Sequence, residues 1–263
     1  MKNLVFLILL LFTSACVDHM DAGNDAFENE AFEEALEHYA YVEKYDRNNW
    51  QVFHNMARCF EELEEYEQSR KYYSLAIQKN IQSEAESFLG RGRCYWNLED
   101  YESAIMDFST VINIDKKNFD AWYLRGKAYM KELQYDKAYW DLVEAVQLDK
   151  EDIYARYHLA LVNAQFGSLV SALNDLNRVI RDKDDFARAY YNRGIVKQRL
   201  RRYKSAIDDY TMAMELGVEM AEIYARRAEM YIELGEDKKA CDDLEKAVEL
   251  DSHYEAYQVK FCS

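Results

Sequence analysis

The chain contains no proline, where average usage of about 5% would place roughly 13 in 263 residues. No helix interior is broken by a residue without an N–H, and no X-Pro turn punctuates the chain. Glycine is nearly as scarce, at eight residues, which argues against a glycine-rich nucleotide fold. Gly90-Arg91-Gly92 comes nearest to a dinucleotide loop, but Tyr95 stands where the third glycine would fall. Positive charge is also short: 33 Lys and Arg against 49 Asp and Glu give a formal net charge of −16. That argues against a general nucleic-acid binder, which needs a basic footprint. His19, His38, His54, His158 and His253 are scattered, without an HExxH pair for zinc. Asp182-Lys183-Asp184 begins like a calcium loop, yet Phe186 and Ala187 fill places that need an oxygen ligand and a glycine. There is no CxxC pair, and no two carboxylates stand out as an acid–base couple. No catalytic residue, metal or cofactor is expected, and the chain does not read as an enzyme.

What is present favours helix. Ala, Glu, Leu and Lys are abundant, tyrosine numbers 22, and 49% of residues are apolar, enough for a sizeable core. Residues 1–16 read MKNLVFLILLLFTSAC: Lys2 is a positive start, Leu4 to Phe12 an unbroken apolar run, and Thr13-Ser14-Ala15 a small-residue cleavage segment. Nine helical residues reach only about 13–14 Å against a hydrocarbon core of about 30 Å, too short for a span. Thr13-Ser14-Ala15-Cys16 resembles the lipobox of bacterial lipoproteins, with Thr13 at the place usually held by Leu. The resemblance implies a signal peptide over 1–15, cleavage before Cys16 and lipidation of that cysteine. A multi-chain anchor of this kind holds far more firmly than a single acyl chain.

From there on the chain repeats itself. Small residues recur at Ala35, Ser69, Ala104, Ala138, Ala172, Ala206 and Ala240, at gaps of 34 or 35. Twelve residues ahead of them stand Ala57, Gly92, Gly126, Ala160, Gly194 and Ala228. Four residues after them come Tyr39, Tyr73, Phe108, Leu142, Leu176, Tyr210 and Leu244. Two small slots per period place two antiparallel helices in close approach, with bulky residues filling the gap to the next pair. In residue type and spacing the chain resembles the tetratricopeptide repeat (TPR) over nearly all of 17–254.

That resemblance implies an all-α, right-handed α-solenoid of about seven helix-turn-helix repeats, at about 17–49, 50–84, 85–118, 119–152, 153–186, 187–220 and 221–254. The proline often found near the end of the family's second helix is missing; Ile81, Lys116, Lys150, Asp184 and Val218 hold those places. Local turns such as Asp115-Lys116-Lys117-Asn118 must end these helices, which are expected to run longer than usual. The tail 255–263 is a short cap segment. Its edge is expected either to dock on repeat seven through Tyr257, Val259 and Phe261 or to pair with another chain.

Arg91, Arg125, Arg193 and Arg227 each precede a small-residue slot, and sixteen residues after each stands Asp107, Asp141, Asp209 or Asp243. These read as structural ion pairs within a repeat. Repeat five has Leu159 in the Arg slot but keeps Asp175. Cys59 and Cys94 share one slot and read as small buried fillers, while pairing of Cys241 with Cys262 stays open.

In the family the first helices line a concave face, through positions 2, 5, 9, 12 and 13 of each repeat. Carried onto this chain they include Arg93, Trp96, Tyr123, Lys127, Met130, Lys131, Tyr154, Tyr157, Leu161, Arg188, Tyr191, Ile195 and Arg199. Tyr123, Tyr157 and Tyr191 recur at intervals of 34, and Asp120 is the only acid beside five bases. The family's carboxylate-clamp pattern is absent, since Tyr123 and Lys127, or Tyr191 and Ile195, stand in its places. A tyrosine-lined, locally basic surface suits an extended peptide with acidic and apolar side chains. The expectation is a non-enzymatic scaffold, membrane-bound through its lipid only, in the bacterial envelope at the outer membrane or periplasmic face, with a protein or peptide partner. The competing expectation is a structural homo-oligomer formed through the C-terminal edge.

Overall fold

The computed structural model describes residues 16–80 and 85–262, and these form helices and turns with no strand. The expected signal segment, 1–15, lies outside the described residues. No helix among the described residues is long and apolar enough to cross a membrane. The chain divides into two compact units, Met1–Gln134 and Tyr135–Ser263. The first holds α1 (16–28), α2 (Phe32–Tyr45), α3 (Trp50–Glu62), α4 (Tyr66–Lys79), α5 (Ala85–Asn97), α6 (Tyr101–Ile114) and α7 (Phe119–Lys131). The second holds α8 (Tyr135–Leu148), α9 (Ile153–Gln165), α10 (Leu169–Asp182), α11 (Ala187–Arg199), α12 (Tyr203–Glu215), α13 (Ala221–Glu233), α14 (Asp237–Leu250) and α15 (Glu255–Cys262).

Within each unit the helices pair as antiparallel hairpins around the small residues. Ala35, Ala104, Ala138, Ala172 and Ala206 are fully buried. The facing slot is matched to the ring it meets. A Cβ built on Gly92 would stand 2.5 Å from the Phe108 ring, and one on Gly23 or Gly194 would stand 2.6 Å from Tyr39 or Tyr210. Where the residue opposite is leucine, alanine suffices: Ala160 packs in one cluster with Leu176, and Ala228 with Leu244. Repeat two places Ala57 beside Tyr73, whose ring leans on Gly90 of the next repeat and would overlap any side chain there.

The first helix of each hairpin ends on a left-handed residue: Glu30, Glu64, Glu99 and Leu133 in the first unit, Gly167, Arg201 and Gly235 in the second. The next N–H reaches back five residues, as from Glu65 to the Phe60 carbonyl (2.8 Å) and Arg202 to that of Lys197 (2.9 Å). This is the six-to-one closure that ends helices without proline. The second helices α2, α6 and α8 are stopped by aspartate: Asp46, Asp115 and Asp149 accept from the backbone N–H of Asn48, Lys117 and Glu151. The expected overrun does not occur. Every second helix is 14 residues long except α12, at 13.

At the C-terminus α15 holds the register of a first helix, following α14 as each first helix follows the second helix before it. Cys262 falls 34 residues after Ala228, in the small-residue slot, and Cys241 follows the buried Ala240. The two cysteines form a disulfide with their Cα atoms 5.6 Å apart. The bond fastens α15 to α14, and Tyr257 packs against Ala228, Ala240 and Leu244.

Candidate functional site

In the first unit successive first helices touch along one face. Arg93 on α5 donates through Nε to Glu61 on α3 at 2.6 Å, and Glu61 also accepts from the Tyr73 hydroxyl at 2.8 Å. Burial disfavours the Arg93 charge, but Glu61 outweighs it and keeps the guanidinium firmly protonated. Arg93 is therefore already neutralised and is not a free cation for a ligand. Lys127 on α7 differs. Its Nζ lies 4.7 Å from the Trp96 ring centroid on α5 and 5.2 Å from that of Tyr123. Tyr123 in turn stacks on Phe119 at 5.7 Å. Burial first, and then the charge of Lys131, lower the Lys127 pKa from its usual value. Lys131 is exposed, 5.9 Å from the Tyr101 ring, and Met130 is half-buried beside them in sequence. Two cations with aromatic flanks, neither ion-paired to a carboxylate among the described residues, form a receptive point for an anion.

The second unit uses the same slots differently. Tyr157 is only 7% exposed; its ring packs on Phe186 at 4.9 Å and its hydroxyl accepts from the Asn192 amide at 2.8 Å. It is a packing residue, and its ring face is not offered to a ligand. Phe186 causes this. It occupies the place where α7 and α9 have capping Asn118 and Asp152, leaves α11 without a side-chain cap, and folds onto Tyr154 and Tyr157 instead. Tyr154 stays exposed. Tyr191 is half-buried near Tyr210, and burial is the main cause that pushes its phenol up to about 12. Leu161 and Ile195 pack against the cores. Arg188 is exposed, and Arg199 donates to the Ala164 carbonyl.

Three of the expected arginine–aspartate pairs are bidentate. Arg91 Nε and Nη2 donate to Asp107 at 2.8 Å each; Arg193 to Asp209 and Arg227 to Asp243 do so at 2.7–2.9 Å. Arg125 and Asp141 fall in different units; Asp141 is buried. The pairs reach further than one repeat. The third nitrogen, Nη1, donates to the second helix of the preceding repeat: Arg91 to Ser74, Arg125 to Ser109, Arg193 to Asn177 and Arg227 to Thr211. Arg91, Arg193 and Arg227 thus each tie three helices. Removing one partner of such a buried pair costs about 3–5 kcal/mol, because it strands a charge.

Repeat five keeps this arrangement by another route. Asp175 faces Arg156, one helical turn ahead of Leu159, at 3.9 Å, and accepts from Asn163 at 3.5 Å. Arg156 is 5% exposed and also donates to the Lys150 carbonyl. Sequence reading missed Arg156, although its i−3 spacing from the empty slot is the signal that finds it. It also missed Gly23, which stands 12 residues before Ala35 like the other small slots, and Lys197, 2.7 Å from Asp209. Cys59 and Cys94 are fully buried, and burial pushes both thiols up to about 12, so they are inert. Cys16 is half-exposed and packs at the margin of the first core.

Models of the tetratricopeptide repeat match residues 20–84, 54–110, 187–216 and 221–254, and a TPR repeat model matches 92–132. No curated protein matches the chain significantly. Among solved structures, the C-terminal part of a TPR repeat-containing protein from Cytophaga hutchinsonii is 16% identical with a TM-score of 0.73, covering 93% of this chain and 99% of its own. A tetratricopeptide repeat protein from Parabacteroides merdae is also 16% identical, with a TM-score of 0.68 over 94% of this chain and 98% of its own. YrrB, described as a TPR protein with an unusual peptide-binding site, is 23% identical with a TM-score of 0.61, covering 68% of this chain and 92% of its own.

Proposed function

Since the chain belongs to the tetratricopeptide repeat family, typically a non-catalytic scaffold, we propose that it is a lipid-anchored adaptor of the bacterial envelope. It holds an extended acidic and apolar peptide of a protein partner on its first-helix surface. The observation that carries this is Lys127, half-buried between Trp96 and Tyr123 with no carboxylate paired to it among the described residues. A cation already partly stripped of water repays an incoming carboxylate more than a solvated one does. Lys131, exposed on the same helix, extends the surface. The peptide-binding site named for YrrB supports the class of ligand. A Cys241–Cys262 disulfide suits an oxidising, exported location, and Cys16 is the residue that carries the lipid.

The test is fluorescence anisotropy with labelled peptides of mixed Asp/Glu and Leu/Phe composition, beside their Lys-substituted counterparts. Charge reversal at Lys127 and Lys131 is expected to weaken acidic-peptide binding at least tenfold without lowering Tm. Unchanged binding removes the surface assignment. Fatty-acid labelling in cells, lost in Cys16→Ser, tests the anchor separately. A second reading draws on the apolar C-terminal edge, where Val259 is 61% exposed with Leu250 and Phe261 nearby in sequence: a structural self-associating chain. Light scattering that shows a concentration-independent monomer eliminates it.

A further inference from the structure

The second unit holds a cleft of about 520 Å³ walled by α11, α13, α15 and the turn before α12. Its chemistry differs from that of the Lys127 surface. Three rings face it, from Tyr203, Tyr257 and Phe261, and Met230 and Ile232 add an apolar floor. Two carboxylates line it, Glu229 and Glu233, and neither forms an ion pair among the described residues. The Gln198 amide is oriented by the Tyr210 hydroxyl, which donates to its Oε1 at 2.6 Å, so its Nε2 donates to Glu229 at 2.9 Å. Glu229 is thereby fixed with acceptor capacity left over. Of the two arginines on the rim, Arg199 is engaged by the Ala164 carbonyl and Arg201 is exposed on its turn.

We infer that this cleft binds the ammonium or guanidinium end of a basic side chain. Aromatic faces attract a cation through their quadrupoles, carboxylates supply its counter-charge, and the apolar floor takes the aliphatic stem. The inference does not depend on the Lys127 surface, and the two are separable by mutation.

The aromatic wall is conditional. Tyr257 and Phe261, 4.8 Å apart, both sit on α15, an eight-residue helix with no buried residue. A helix so short does not persist unaided. The Cys241–Cys262 bond fastens its far end to α14, so the cleft is complete only in the oxidised protein.

The experiment is calorimetric titration of the purified protein with Ac-Ala-Arg-Ala-amide and its Lys and Glu counterparts, and with free arginine. Saturable binding of the Arg and Lys peptides and not of the Glu peptide is expected. Glu229→Gln with Glu233→Gln should weaken it at least tenfold, Phe261→Ala severalfold, and Lys127→Glu not at all. Reduction with a phosphine, or Cys262→Ser, should weaken it as Phe261→Ala does while the circular dichroism of the rest persists. Free arginine binding as tightly as the peptide identifies a small organic cation as the source, and binding of the peptides alone identifies a protein segment. Preference for the Glu peptide, no binding of either basic peptide, or affinity indifferent to the two glutamates and to reduction overturns the inference.

Discussion

Tyr123 and Tyr157 hold the same place in the repeat, 34 residues apart, and do opposite work. Tyr123 lies beside a cation with no counter-charge among the described residues; Tyr157 is sealed under Phe186 and tied to Asn192. The periodicity of a repeat decides which face of the helix a residue lies on. Whether that face stays open is decided by non-repeating neighbours, here an aromatic substituted for a helix cap. The arginines teach the same lesson: repeats three, six and seven use one slot, and repeat five reaches its aspartate from a turn earlier.

The contrast breaks most visibly in the arginines. Arg91→Ala or Arg227→Ala is expected to cost about 3–5 kcal/mol in chemical denaturation, and Arg156→Ala, whose pair is 3.9 Å apart, distinctly less. Equal losses would show that the bidentate geometry is not what matters. The pH dependence sharpens this. Burial, opposed by the Arg91 hydrogen bonds, holds the Asp107 carboxyl above its ordinary range. Folded Asp107 then binds protons more readily than unfolded, so its contribution falls as pH rises through the window between the two values. Without Arg91 that window extends upward, and the Arg91→Ala deficit should be largest at neutral pH and shrink on acidification.

A smaller effect separates the tyrosines. Tyr157→Phe removes the oxygen that accepts from Asn192 and should cost about 1 kcal/mol of stability without altering peptide binding. Tyr123→Ala should reduce binding of the acidic peptide severalfold, while Tyr157→Phe leaves it unchanged. A binding loss at Tyr157 equal to that at Tyr123 would mean that the repeat pattern alone governs the surface.

Those outcomes bear on how far the sequence could be read. The hairpins were legible because the slots at Ala104 and Gly92 are filled by what packs on them, the Phe108 ring at Gly92, and only small residues fit there. The family resemblance followed from the same spacing. What stayed hidden depends on contacts between repeats that spacing does not encode. Arg91 was visible as a partner of Asp107, but its third hydrogen bond, to Ser74, was not. Arg93 counted as a groove cation because nothing in the repeat pattern shows that Glu61 of the preceding repeat neutralises it. Cys241 and Cys262 left their pairing open because it needed the short tail to continue as the first helix of another repeat.

Turn chemistry distinguishes the units by a few tenths of a kcal/mol. The first unit closes its hairpins on Glu30, Glu64, Glu99 and Leu133, all left-handed side-chain-bearing residues, whereas the second uses Gly167 and Gly235 beside Arg201. Glu64→Gly relieves the steric cost of the left-handed turn but adds unfolded-state freedom, so a gain of a few tenths is expected, and Gly167→Ala should lose about 1 kcal/mol. If Gly167→Ala is neutral by thermal melt, the turn strain is shared by the hairpin and is not local.

The smallest expected effect is an acid response confined to the first unit. His54 on α3 is buried, its Nδ1 2.9 Å from Ser87 Oγ on α5, with Tyr73 edge-on at 5.5 Å. Burial, then the nearby Arg58 charge, lowers its pKa, and Glu86 at 3.9 Å opposes this without reversing it. The folded state therefore refuses a proton that the unfolded state accepts. Stability from neutral His54 is complete above the unfolded value of about 6.5 and is lost as pH falls below it toward the folded value. In the second unit His253 is nearly fully exposed. Hydrogen exchange at pH-corrected rates should show the α3 and α5 amides losing protection on acidification, with those of α11 and α13 unchanged, and His54→Gln should remove the difference. Equal loss in both units would assign the acid response to carboxylates spread over the chain.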